Sequence, residues 1–177
     1  MINKKVEQVI NAQITREEQS SRIYLAMASW CQAKGYQGSA DFLYAQTDEE
    51  RIHELKFIHY LNDRGGYAVL TELEPPVNQF TSILDVFTQV LQHEEGITAS
   101  INELYAVAVE EKDYSTANFL QWFITEQIEE ESSARNVLDK LNLAGEEKGG
   151  LFHIDKELAA MAVQKKAQII ATLQGTN

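Results

Sequence analysis

Four glutamates occupy positions where a helix should carry a core residue. Each lies seven residues from an apolar or aromatic neighbour on both sides: Ile10, Glu17 and Tyr24; Leu43, Glu50 and Phe57; Phe87, Glu94 and Ile101; Phe123, Glu130 and Val137. Seven residues is close to two helical turns, so each triplet points along one stripe of its helix. Burying a single carboxylate costs several kcal/mol unless it is paired or binds metal. Four such groups in register therefore need a common explanation, and a cluster of cations between four helices supplies one.

His53 follows Glu50 by three residues. That step advances about 4.5 Å and stays on one face, so both side chains can reach one ion. The four glutamates carry four negative charges, which two divalent ions would balance. Carboxylates with one imidazole form a hard, oxygen-rich donor set that suits iron or manganese and also admits zinc. The absence of thiolates from this set argues against a structural zinc site.

The elements that must position these groups are helices. The two prolines are adjacent, Pro75 and Pro76, and leave four long segments uninterrupted. Helices are expected from about Lys4 to Ala33, Ser39 to Asn62, Ser82 to Glu111 and Ser115 to Leu143, with Thr81 or Ser82 capping the third. A shorter fifth helix is expected from around His153, after Gly149-Gly150. Short first and third connections make helices one and two antiparallel, and likewise three and four. The segment from Gly65 to Phe80 is long. Sixteen extended residues reach about 50 Å, against roughly 40 Å for a 28-residue helix, so it can cross the full length of a bundle. Its apolar run Tyr67-Ala68-Val69-Leu70 needs cover, from a partner subunit for example. The expected fold is all-α: one domain over 1–177, with a four-helix bundle over about 4–143, one crossover between helices two and three, and a short C-terminal helix and tail over about 151–177.

With these elements in place, the chain resembles the bacterial non-haem ferritins of the ferritin-like family. The resemblance is carried by Glu49-Glu50-Arg51-Ile52-His53, Phe119-Leu120-Gln121-Trp122 with Glu126-Gln127, and Ile154-Asp155-Lys156-Glu157-Leu158. The Glu-x-x-His pairing is the general arrangement of ferritin-like di-iron bundles, which expect a second copy on helix four. Here that step reads Gln127-x-x-Glu130, which gains a carboxylate and loses an imidazole. The resemblance implies that Glu17, Glu50 and His53 hold a first iron, and that Glu50 bridges to a second completed by Glu94 and Glu130. It implies Gln127 near the first site, Tyr24 beside the centre, and a third iron site from Glu49, Glu126, Glu129 and Glu130. It further implies ferroxidase activity on ferrous iron with dioxygen or peroxide, ferric mineral storage, and a 24-subunit cage. The fifth helix would lie near a four-fold axis, where this long tail would line or narrow a channel.

Other classes fit less well. The formal charge is −12, from 27 acidic and 15 basic residues, without a basic block. That argues against nucleic acid or an anionic membrane as partner and for attraction of cations. No run is long enough to span a bilayer, no signal region stands at the start, and Cys31 alone cannot build a disulfide framework. The expectation is a cytoplasmic protein. Haem is not expected, since Arg51 follows Glu50 where the haem-binding relatives need methionine. The alternative function is a non-storing di-iron oxidase or peroxidase. Lone Cys31 cannot supply the Cys-x-x-Cys iron domain of the rubrerythrin branch. A DNA-protecting mini-ferritin would place its ligands between subunits. His93 reads as a surface histidine off the core stripe. Replacing Glu94 by Leu is expected to raise the metal-free melting temperature by relieving repulsion.

Overall fold

A computed structural model describes residues 2–145 and 147–174. Among them are five helices: α1 (Lys4–Ala33), α2 (Gln37–Asp63), α3 (Ile83–Glu110), α4 (Tyr114–Ala144) and α5 (Lys148–Leu173). Caps fix most starts. The Asn3 side chain accepts from Lys5 N, and Asp113 from Thr116 N. At α3 the Ser82 hydroxyl accepts from Asp85 N at 3.0 Å, while the Asp85 carboxylate accepts from Thr81 N at 2.8 Å. This pair, close to a capping box, satisfies the Asp85 N–H of the first turn and the Thr81 N–H just before the cap. Helices α1 and α2 are each followed by a glycine at positive φ, Gly35 at 87° and Gly65 at 75°, a conformation other residues adopt at a cost.

Arg64, after α2, pairs with Asp113 before α4 at 3.0 Å, and Asn3 donates to Glu111 after α3 at 2.8 Å. The start of α1, the ends of α2 and α3 and the start of α4 thus share one end of the bundle. Helix α3 begins at the opposite end, so the segment after α2 does cross its full length. It is pinned along α1 by side chains four residues apart. Glu7 accepts from Tyr67 N at 3.0 Å, and Asn11 accepts from Val69 N at 2.7 Å. Thr15 meets Thr71 at 3.0 Å, and Gln19 donates to Glu74 O at 3.0 Å. Tyr67, Val69 and Leu70 remain exposed on this chain.

The apolar core falls into two clusters. One surrounds Tyr24, Met27, Leu43, Phe87 and Leu141; the other surrounds Ile10, Ile14, Phe57, Ile101 and Phe123. The four sequence-singled glutamates lie between them.

Helix α5, 26 residues and the shortest of the five, starts at Lys148 rather than near His153. Gly149-Gly150 lies inside its first turn. Gly150 is needed there by close packing, because a Cβ on it would stand 2.8 Å from that of Ala144. The helix then runs along α2. Asp155 accepts from Gly38 N at 2.9 Å, Ser39 N at 2.8 Å and Ser39 Oγ at 2.8 Å, so α5 caps α2 from outside. A Cβ on Gly38 would fall 1.8 Å from the Asp155 carbonyl oxygen. The expected tail residues Gly175, Thr176 and Asn177 lie outside the described residues.

Candidate metal centre

Each of the four long helices delivers one glutamate to the layer between the clusters. Glu17, Glu50, Glu94 and Glu130 are exposed by only 1%, 3%, 1% and 6%, and all eight of their seven-residue neighbours are buried. The stripes inferred from spacing are therefore the inward faces of α1 to α4.

Two groups of donors converge among the described residues. Ligand atoms of Glu17, Glu50 and His53 lie within 4.8 Å of one another, as do those of Glu49, His53 and Glu126. His53 belongs to both. Its Nδ1 is 3.3 Å from Glu50 Oε2, and its ring meets the edges of Trp122 and Phe123 at 5.4 and 5.8 Å. Trp122 is 41% exposed and meets the imidazole edge-on, with the Lys56 ammonium over its ring 3.1 Å from the ring centre.

Glu94 and Glu130 join neither group. Glu94 accepts from the Tyr24 hydroxyl, and from Gln127 Nε2 at 3.0 Å. Gln127, expected near Glu17 and His53, spends its amide on Glu94. Glu130 accepts from Gln46 Nε2 and from Lys165 Nζ, both at 2.8 Å. Glu129 is exposed and lines a cavity of about 290 Å³ together with Glu49, His53, Lys56, Trp122 and Glu126.

The electrostatics of this layer oppose charge. Burial, with Glu50 beside it, pushes the Glu17 carboxyl up to about 8. Burial and the Glu130 charge push Glu94 up to about 7. Burial, then Glu94 and Glu130, raises Glu50 well above the usual carboxylate range. Burial also pushes Glu49 up to about 7, although Lys165 pulls it the other way. For Glu130 burial raises the value too, but the Lys165 ammonium outweighs it and holds the group low. Burial followed by the Glu94 charge keeps the Tyr24 hydroxyl protonated far into alkali.

One of these carboxylates has an oxygen left open. Glu17 Oε2 is buried and accepts from no nitrogen or hydroxyl donor, with the Glu50 carboxyl beside it, whereas Gln13 donates to its other oxygen at 2.7 Å. A carboxylate oxygen so placed, beside a second carboxylate and an imidazole, fits a hard cation by chemistry and position.

His93 departs from expectation, and Lys165 enters the site without one. His93 is not a surface histidine: it is half-buried, 2.7 Å from Ser20 Oγ and edge-on to Tyr24 at 5.7 Å. Burial lowers it to about 4, so it is neutral near pH 7. Lys165, which sequence reasoning passed over, reaches both Glu49 and Glu130. The signal was present. Ile154, Leu158, Ala162 and Ile169 form the buried stripe of α5, and Lys165 continues it at helical spacing.

Comparison with known proteins agrees with this architecture. The ferritin-like domain family matches residues 7–144. A probable bacterial non-heme ferritin-like protein of Haemophilus influenzae is 42% identical over 164 residues, covering 93% of this chain and 99% of that protein. A bacterial non-heme ferritin of Campylobacter jejuni is 41% identical over 166 residues, covering 94% and 99%. Among solved structures, an open pore ferritin from the archaeon Archaeoglobus fulgidus superposes with a TM-score of 0.89 at 40% identity, over 90% of this chain and 98% of that one. With its bundle, its crossover and its inward glutamates alike accounted for, this chain belongs to the ferritin-like family.

Proposed function

We propose that this protein is an iron-storing ferroxidase that oxidises ferrous ions between its four helices and keeps ferric mineral inside a shell of 24 copies. The observation that carries the reading is the convergence of Glu17, Glu50 and His53, with a buried carboxylate oxygen that no protein donor satisfies. Relatives named a bacterial non-heme ferritin and a probable non-heme ferritin-like protein, at about two-fifths identity over nearly their whole length, support the storage reading.

In this reading iron is the substrate. The first ferrous ion takes Glu17, Glu50 and His53; the second takes Glu50, Glu94 and Glu130. Two ferrous ions give one electron each to dioxygen, which with two protons yields two ferric ions and hydrogen peroxide. With peroxide as oxidant and two protons, the same two electrons yield two waters. Carboxylates favour the higher charge of the product. Tyr24 and Gln127 hold Glu94 in place through its two oxygens, and the apolar clusters above and below exclude water. Glu49, Glu126 and Glu129 lead outward from His53 and, with Glu130, would serve as the third site. Residues 1–177 act as one domain.

Size-exclusion chromatography with aerobic ferrous loading tests the reading. The expected result is a large shell retaining far more than two irons per subunit. Glu50→Ala and His53→Ala should assemble normally but lose at least tenfold in initial oxidation rate. A small oligomer saturating at two irons would favour a non-storing di-iron oxidase, and unchanged rates in both variants would refute the ligand assignment.

A further inference from the structure

The glutamate layer is not symmetric, and the asymmetry comes from a helix outside the four-helix bundle. Toward α1, Glu17 keeps a carboxylate oxygen without a donor, and Glu17, Glu50 and His53 stand ready to share an ion. Toward α4, Glu130 is already engaged. One oxygen accepts from Gln46 and the other from the Lys165 ammonium, which also bonds Glu49. The side chains of Lys165, Glu49 and Glu130 are exposed by only 15%, 13% and 7%. An ammonium enclosed between two carboxylates takes up the charge and lone pairs that a metal ion would use.

The position of Lys165 is built. It lies between Ala162 and Ile169 on the stripe that α5 buries against the bundle, and Asp155 fixes the register of that helix on the start of α2. Its neighbour Lys166 is exposed and makes no such contact among the described residues.

We propose that Lys165 is a tethered cation that competes with incoming metal for Glu130 and Glu49, so that the two ions of each subunit bind in sequence, first at Glu17, Glu50 and His53 and then, after the ammonium is displaced, at Glu94 and Glu130. This rests on the metal-binding reading given above and adds an order to it. Glu49, the other partner of Lys165, lines the cavity of about 290 Å³ beside Lys56 and Gln168, which in this proposal gives the flexible four-carbon stem of lysine somewhere to go when it leaves Glu130.

The test is anaerobic calorimetric titration of the assembled protein with Zn²⁺, a redox-inert probe that reads binding without turnover. Native protein should show a tight step and a second, weaker one. Lys165→Gln should tighten the second step about tenfold, the order set by losing one charge-assisted hydrogen bond, and leave the first unchanged. Lys165→Arg, which keeps the charge, should retain the unequal steps, and Lys166→Gln should match native protein. A second step that Lys165→Gln leaves unchanged or weakens, in a variant that still assembles and still binds the first ion, overturns the proposal while the metal-site reading stands. Absence of zinc binding in every one of these proteins overturns that reading and the proposal together.

Discussion

At the scale of single residues, the cost of this architecture is charge held away from water. Glu17 and Glu94 have values raised to about 8 and about 7. For a carboxyl whose folded value is raised, the neutral form is favoured by folding. Its contribution is complete below the unfolded value and is lost as pH rises through the folded one. Glu130, held low by Lys165, works in the opposite sense and loses its contribution only in acid. The metal-free protein should therefore melt at lower temperature as pH rises from about 5 to about 8.5, and Glu17→Gln should flatten that fall and raise the melting temperature at pH 8 by several degrees. Thermal scans across that range without metal decide it; a flat native profile would contradict the burial argument. Glu94→Leu is no longer the cleaner probe that its spacing suggests, because it strips the acceptor from the Tyr24 hydroxyl and the Gln127 amide. The inward glutamates were legible because burial and helical period leave the same mark on a sequence. The Tyr24–Glu94 bond was not, since it depends on the register of α1 against α3. Lys165 was legible by the very argument that found the glutamates, but on a helix whose path was unknown.

Among the elements, α5 is the one whose role the sequence concealed. The four bundle helices lie within about two residues of their expected limits, because proline, glycine and capping residues mark them locally. For α5 the glycine pair reads as a breaker, although the packing of Gly150 on Ala144 explains it otherwise. The crossover was legible from its length, whereas its seat on Glu7, Asn11, Thr15 and Gln19 needed the tertiary path. Gly38 should be intolerant of a side chain, since a Cβ there would overlap the backbone of Asp155. Gly38→Ala should cost about 1–3 kcal/mol and loosen α5. Gly96→Ala, in open space within α3, should instead stabilise by up to about 1 kcal/mol. Urea unfolding of the two variants side by side measures both signs, and equal effects would mean that α5 does not sit on α2 as described.

Taken as a whole, the molecule carries a net charge of −12 and divides its apolar interior in two, with four carboxylates across the waist. Each cluster can hold its own end of the bundle, and the layer joining them is the part whose buried carboxyls resist ionising when no metal is bound. Amide exchange without metal should thus protect the end around Leu61 and Leu104 and the end around Met27 and Leu43 to different degrees, and a bound divalent ion should bring the two values together. Identical protection at both ends without metal would refute this. On the metal-binding reading, an ion at mid-height acts as a rivet through four rods. The container would then announce its cargo in the way it comes apart: in two stages when hungry for iron, in one when supplied.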